Sequence, residues 1–275
     1  MGRSLHLCQF DYITEIILLL ILHRSITRNS LLGVFCYNEY MNTAELDIVY
    51  FVKNSQTNNE LKYSIRSVVK NMPYKRIWIF GGCPYGIVPD VHVRAEQNGP
   101  SKWANVHEMY RLACSNKELT DNFVLFNDDF FIMRPMDKVE PLYRCSLNQH
   151  IAILEEKFKH PNSYSKLLRN CNKELINLNK TQLSYELHVP FIFNKKNLAK
   201  LLDRFPDQHC TRTLYGNLYN IGGRQSEDIK VFSSKPGFDY KNSPLLSSDD
   251  GIDNINNDVW RYIKLSFKEK SKYEL

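Results

Sequence analysis

The residues best suited to chemistry are Asn127-Asp128-Asp129, an amide and two adjacent carboxylates directly after the apolar run Phe123-Val124-Leu125-Phe126. Oxygen donors of this kind suit a hard cation, Mg²⁺ or Mn²⁺, and such a cation suits the oxygens of a diphosphate. It would neutralise the diphosphate and polarise a phosphorus under attack. An acidic pair capping the turn after a strand is the plainer alternative, and the motif alone leaves both open. His188-Val189-Pro190 puts an imidazole before a proline-anchored extended segment, where it would serve as a general base or a phosphate contact. Most single histidines, however, are structural. Arg224-Gln225-Ser226-Glu227-Asp228 follows Gly222-Gly223, a glycine turn that reads as the entry to a helix. Arg224 would meet an anion there. A simple N-cap at Ser226, with Glu227 and Asp228 favouring the helix dipole, explains the same residues. Asp249-Asp250 opens an Asp-rich loop that would add a metal or substrate contact, or is a solvated loop. The spacing of an EF-hand is absent.

These groups need elements to hold them. Leu46 to Val52 is short, apolar and β-branched, and reads as a buried strand. The polar loop Asn54 to Asn59 offers helix caps, and Leu61, Ile65, Val68, Val69 and Met72 recur at helical spacing until Pro73 closes the helix. Lys75 to Phe80 is a second strand, ended by Gly81-Gly82. Strand, helix and strand in this order imply a parallel crossover and an α/β domain. Residues 86–100 read as irregular, Val106 to Leu119 as a helix, and Asn122 to Phe126 as a third strand. Such a strand delivers Asn127-Asp128-Asp129 to the carboxyl edge of the sheet, where open α/β sheets bind ligands. Residues 135–185 read as a polar, mixed insertion, mostly helical or looped. Asn194 to Phe205 and Asp258 to Phe267 are the remaining expected helices.

Composition sets wider bounds. The chain has 275 residues, 43% of them hydrophobic and 24% charged, as in an ordinary globular domain. Its net charge of +6 fits an anionic small molecule, and without a Lys/Arg-dense tract it does not call for nucleic acid. Seven scattered cysteines without a Cys-x-x-Cys pair are expected to be reduced thiols of a cytoplasmic protein. Ile16 to Leu22 is apolar but far short of the about 20 residues that span a bilayer. Residues 1–40 are therefore expected to be an extension upstream of a domain starting at Met41. An interfacial anchor, giving peripheral association with the inner face of the cytoplasmic membrane, is the alternative.

In order along the chain, these segments resemble the Stealth family of sugar-phosphate transferases of capsule synthesis, which includes the catalytic chain of the GlcNAc-1-phosphotransferase. Asp47-Ile48-Val49-Tyr50 is similar to the opening strand of that family. Asn59 to Val68 followed by Asn127-Asp128-Asp129 resembles its second block, the most diagnostic one. His188-Val189-Pro190 with Arg224 to Asp228 resembles the third, and Asp249-Asp250 with Phe267 to Glu274 the fourth. The family's Trp-Val-Asp-Gly after the first strand reads Phe51-Val52-Lys53-Asn54 here, and its Asn-Asp in the last block reads Asp249-Asp250. These departures bear on the identity of the donor more than on the reaction class.

The resemblance implies a nucleotide-diphospho-sugar transferase-like (GT-A-like) single domain over 41–275. The implied reaction transfers hexose-1-phosphate from a nucleotide-sugar, a UDP-sugar first among them, to a glycan hydroxyl, with release of a nucleoside monophosphate. Asp128 and Asp129 are then expected as metal ligands. His188, Arg224 and Asp228 are expected to be catalytic, and Arg66, Asn127, Asp249 and Asp250 to bind the donor. A glycosyltransferase attacking the anomeric carbon on the same fold, and a non-catalytic carbohydrate-binding protein, are the alternatives.

Overall fold

The computed structural model describes residues 41–231, 237–248 and 258–275. The expected extension at 1–40 and the loop holding Asp249 and Asp250 lie outside them. Among the described residues the chain is a mixed α/β fold with seven α-helices.

Strand β1 (Asp47–Val52) leads through α1 (Asn59–Asn71) to β2 (Ile77–Gly81) and then the short β3 (Val91–Val93). Helix α2 (Lys102–Ser115) precedes β4 (Asn122–Phe126). Nearly every residue of β1, β2 and β4 is buried, which is why these strands read as unbroken apolar runs rather than alternating ones. Helix α1 starts where the Asn58 Oδ1 accepts from the Leu61 N–H at 2.8 Å, and it buries Leu61, Ile65 and Val68 on the sheet. It ends because Pro73 restricts Met72 to extended backbone. Helix α2 begins four residues earlier than the apolar spacing suggests, because the Ser101 Oγ caps it through the Ala104 N–H at 3.2 Å.

The main sheet runs β3-β2-β1-β4-β7, with β3, β2, β1 and β4 mutually parallel. Strand β7 (Phe191–Asn194) pairs antiparallel with β4, from Leu125 opposite Phe191 to Asn122 opposite Asn194. The chain winds outward from β1 to β3 and then returns to the other side of β1 as β4. The order of strands therefore reverses between β1 and β4, the place where such sheets open a crevice at their carboxyl ends.

After β4 the chain forms β5 (Phe130–Ile132) and β6 (Leu142–Tyr143), followed by α3 (Leu147–Phe158) and α4 (Ser163–Asn177). These two helices, of 12 and 15 residues, take up about half of the expected insertion at 135–185. Beyond β7 come α5 (Lys195–Arg204), α6 (Thr211–Leu218), β8 (Arg224–Gln225), β9 (Lys230–Val231), β10 (Leu245–Ser248) and α7 (Asp258–Ser266). A small sheet, β5-β10-β9, takes up the chain directly after Asp129, and β6 pairs with β8. Arg224 to Asp228 is thus not the start of a helix. Gly222 and Gly223 have positive φ, and Arg224 and Gln225 then pair as a strand with Leu142 and Tyr143. No helix of the described residues is long and apolar enough to cross a membrane.

Candidate active site

Strand β4 ends at Phe126, and Asn127 and Asp128 follow into a cleft of about 320 Å³ at the crevice between β1 and β4. The loop after β1 reaches the same place. Asn58, while capping α1, donates from Nδ2 to the Asp128 carboxylate at 2.6 Å. One short side chain therefore fixes both the start of α1 and the orientation of Asp128.

His188 arrives from the other side for a topological reason. Strand β7 runs against β4, so the residues before Phe191 lie beyond the end of β4. Continuing the register past Leu125 and Phe191 sets His188 opposite Asp128, and both line the cleft. The imidazole is held through Nδ1 by the Asp228 carboxylate at 2.8 and 3.0 Å, and Asp228 also accepts from the His188 N–H at 3.3 Å. Arg144, just past β6, forms an ion pair with the same carboxylate. Burial alone would push the Asp228 carboxyl up. The hydrogen bond from His188 and the charges of His188 and Arg144 outweigh it and bring the pKa down to about 2. Asp228 is therefore a carboxylate across the physiological range.

Arg212, on α6, was not singled out from the sequence. It is buried, and its Nη1 donates to the carbonyls of Leu187 and Val189 at 2.9 and 2.8 Å, one on each side of His188. The guanidinium lies over the rings of Phe130 and Phe191 at 5.5 and 5.8 Å, and it lines the cleft. Glu186 lines the cleft as well, its carboxyl pushed up by burial against the opposing charge of Arg212 and a hydrogen bond with Thr213. Trp103 and His209 form an aromatic rim, and the buried Tyr110 lines the cleft as well.

The two carboxylates of the Asp pair have different surroundings. Asp128 faces the cleft, its pKa raised by burial despite the hydrogen bond from Asn58, with Asp129 adding to the rise. The charge of Lys230 offsets this only in part, and a divalent ion there would relieve it further. Asp129 already has its counter-charge. Its Oδ2 accepts from the Lys230 Nζ at 2.9 Å and the Ser247 Oγ at 2.8 Å, under the small sheet. The described residues contain no cluster of three or more acidic, histidine or cysteine side chains placed to hold a metal. Mg²⁺ and Mn²⁺ in phosphate chemistry need only one or two protein carboxylates plus substrate oxygens. Asp128, with Asn127 beside it, fits that smaller role, while Asp129, expected as a second ligand, is paired with Lys230 here.

Two further expected contacts lie elsewhere. Arg66, expected at the donor, donates to Glu274 from Nε and Nη2 at 2.7 and 2.6 Å, and its Nη1 reaches the Phe267 and Lys268 carbonyls. That buried fork commits four of the five guanidinium N–H groups to clamping the C-terminal segment to α1. Arg224 is exposed on β8, 3.3 Å from Glu140, and does not line the cleft. The buried guanidinium beside His188 is that of Arg212.

The chain matches no protein-family profile and no curated protein.

Proposed function

We propose that this chain transfers a sugar-1-phosphate from a nucleotide-sugar to a glycan hydroxyl in the synthesis of a surface or capsular polysaccharide, as the resemblance to the Stealth family suggests. The observation that carries the proposal is the His188–Asp228 pair, set across a cleft from Asp128 at the reversal point of the sheet. A neutral imidazole whose Nδ1 donates to a carboxylate is in the tautomer that leaves Nε2 as the proton acceptor. In the proposed step Nε2 takes the proton of the acceptor hydroxyl. The freed oxygen attacks the β-phosphorus of the donor, the P–O bond to the α-phosphate breaks, and nucleoside monophosphate departs. Asp228 stabilises the imidazolium that forms.

Arg212 keeps the backbone on both sides of His188 in place and presents positive charge to the transferring group. A divalent ion held by Asp128 and Asn127 would neutralise the donor diphosphate. The rim of Trp103 and His209, whose rings lie nearly parallel, offers flat surface to a base or a sugar ring.

The test is mass spectrometry of products after incubation with a nucleotide-sugar panel, Mn²⁺ and mixed glycan acceptors. The proposal expects a glycan phosphodiester together with nucleoside monophosphate. A glycoside with nucleoside diphosphate would mark the ordinary glycosyltransferase, and no turnover of any donor would mark a binding protein.

A further inference from the structure

Next to Asp228 lies a second cavity, of about 730 Å³, more than twice the volume of the cleft. Asp228 lines it and bonds the His188 imidazole at 2.8 Å, so the cavity begins one side chain away from the cleft. The wall is made by the strand β8 segment on one side and by the start and outer face of α3 on the other. Arg144 and Gln149 contribute from the α3 side, and Gln225 and Ser226 from β8. Ile153, half exposed, and Ala152 add an apolar strip between them.

Planar amides and a guanidinium bordering a small aliphatic patch are the chemistry that holds a saccharide, with hydroxyls on the polar groups and a C–H face on the patch. The volume admits more than one sugar ring. The charges narrow the class further. Glu156, Glu227 and Asp228 set three carboxylates against the one guanidinium of Arg144, which repels an acidic glycan.

We infer that this cavity is a distal acceptor subsite. It takes the units of a neutral or amine-bearing oligosaccharide that lie beyond the reacting one, so the preferred acceptor is a chain and not a single sugar. This rests on the transfer reaction proposed above, and binding provides a readout independent of it.

Three ladders of one to five units serve as probes: N-acetylated chito-oligomers, their deacetylated forms, and oligogalacturonides. Binding is followed by saturation-transfer NMR on the full chain and on two variants, Ile153→Trp, which fills the cavity from an exposed position, and Gln225→Ala. The inference expects affinity to rise at least about tenfold from one unit to three or more for a neutral or amine-bearing ladder. It expects no binding of the acidic ladder, and loss of the length dependence in Ile153→Trp with a weaker loss in Gln225→Ala. Length-independent binding, preference for oligogalacturonides, unaltered binding in Ile153→Trp, or no binding of any ladder would each overturn it. Donor turnover measured alongside keeps the two proposals apart. Release of nucleoside monophosphate without a length effect defeats the subsite alone, and a length effect in binding without any release defeats the transfer reaction alone.

Discussion

Replacing Asp228 with Asn tests how the pair works, because the shape is kept and the charge is lost. The fall of the Asp228 pKa from 3.8 to about 2 corresponds to roughly 2 kcal/mol of interaction favouring the folded carboxylate. The side chain is nearly buried, so little of this is screened by solvent. Since the folded pKa is depressed, this stabilisation is fully present above the unfolded pKa of 3.8 and is lost as pH falls through about 2. Asp228→Asn should thus lower the melting temperature at pH 7 by about 4–8 °C, and the urea midpoints of variant and wild type should converge below pH 4. The amide also offers an N–H to Nδ1, which favours the tautomer with its proton on Nε2 and removes the base. Turnover at pH 7 and at a temperature where the variant is folded should fall by about 10²–10⁴-fold. The assay is nucleoside monophosphate release alongside urea denaturation from pH 2 to 8. Wild-type turnover in a folded Asp228→Asn protein would refute the assignment, and a stability difference that persists unchanged to pH 2 would refute the electrostatic account of the pair.

Asp129→Ala should destabilise the chain by about 3 kcal/mol in urea, because it leaves the half-buried Lys230 ammonium without its carboxylate; unchanged stability would return Asp129 to the list of metal ligands. Arg212→Lys cannot hold both carbonyls that flank His188, so kcat should fall at least about tenfold while the KM for donor changes less. Arg66→Met should lower stability by about 3 kcal/mol with kcat intact, since the clamp to Glu274 is remote from the cleft. Arg224→Lys, on the surface of β8, should leave turnover at the wild-type level.

The sequence made the parallel part of the sheet legible because β1, β2 and β4 are covered on both faces and carry almost no polar residue to break the pattern. It also placed Asp128 correctly, since the end of a buried strand is a position that local sequence reveals. Strand β3 has three residues and no such run. Helix α6 has no side-chain cap and follows the loop after Phe205 with no start signal. The segment at 224–228 misled because Gly-Gly followed by Ser-Glu-Asp has the composition of a helix entry, whereas the pairing of Arg224 and Gln225 with β6 is a contact across about 80 residues of chain that local patterns do not encode. The same separation hid the partners in the site. His188 and Asp228 are 40 residues apart, and Arg212 sits in an unremarkable stretch, Cys210-Thr211-Arg212-Thr213. The neutralisation of Asp129 by Lys230, 101 residues later, was equally out of reach.

The most direct test of the central claim is ³¹P NMR of the reaction of wild type and His188→Ala with a nucleotide-sugar donor that turns over, a glycan acceptor and the diamagnetic ion Mg²⁺. The account predicts that wild type produces a phosphodiester resonance and nucleoside monophosphate in equal amounts, and that both are lost together in a folded His188→Ala variant. Nucleoside diphosphate accumulating without a phosphodiester, or phosphodiester formation undiminished in His188→Ala, would contradict it.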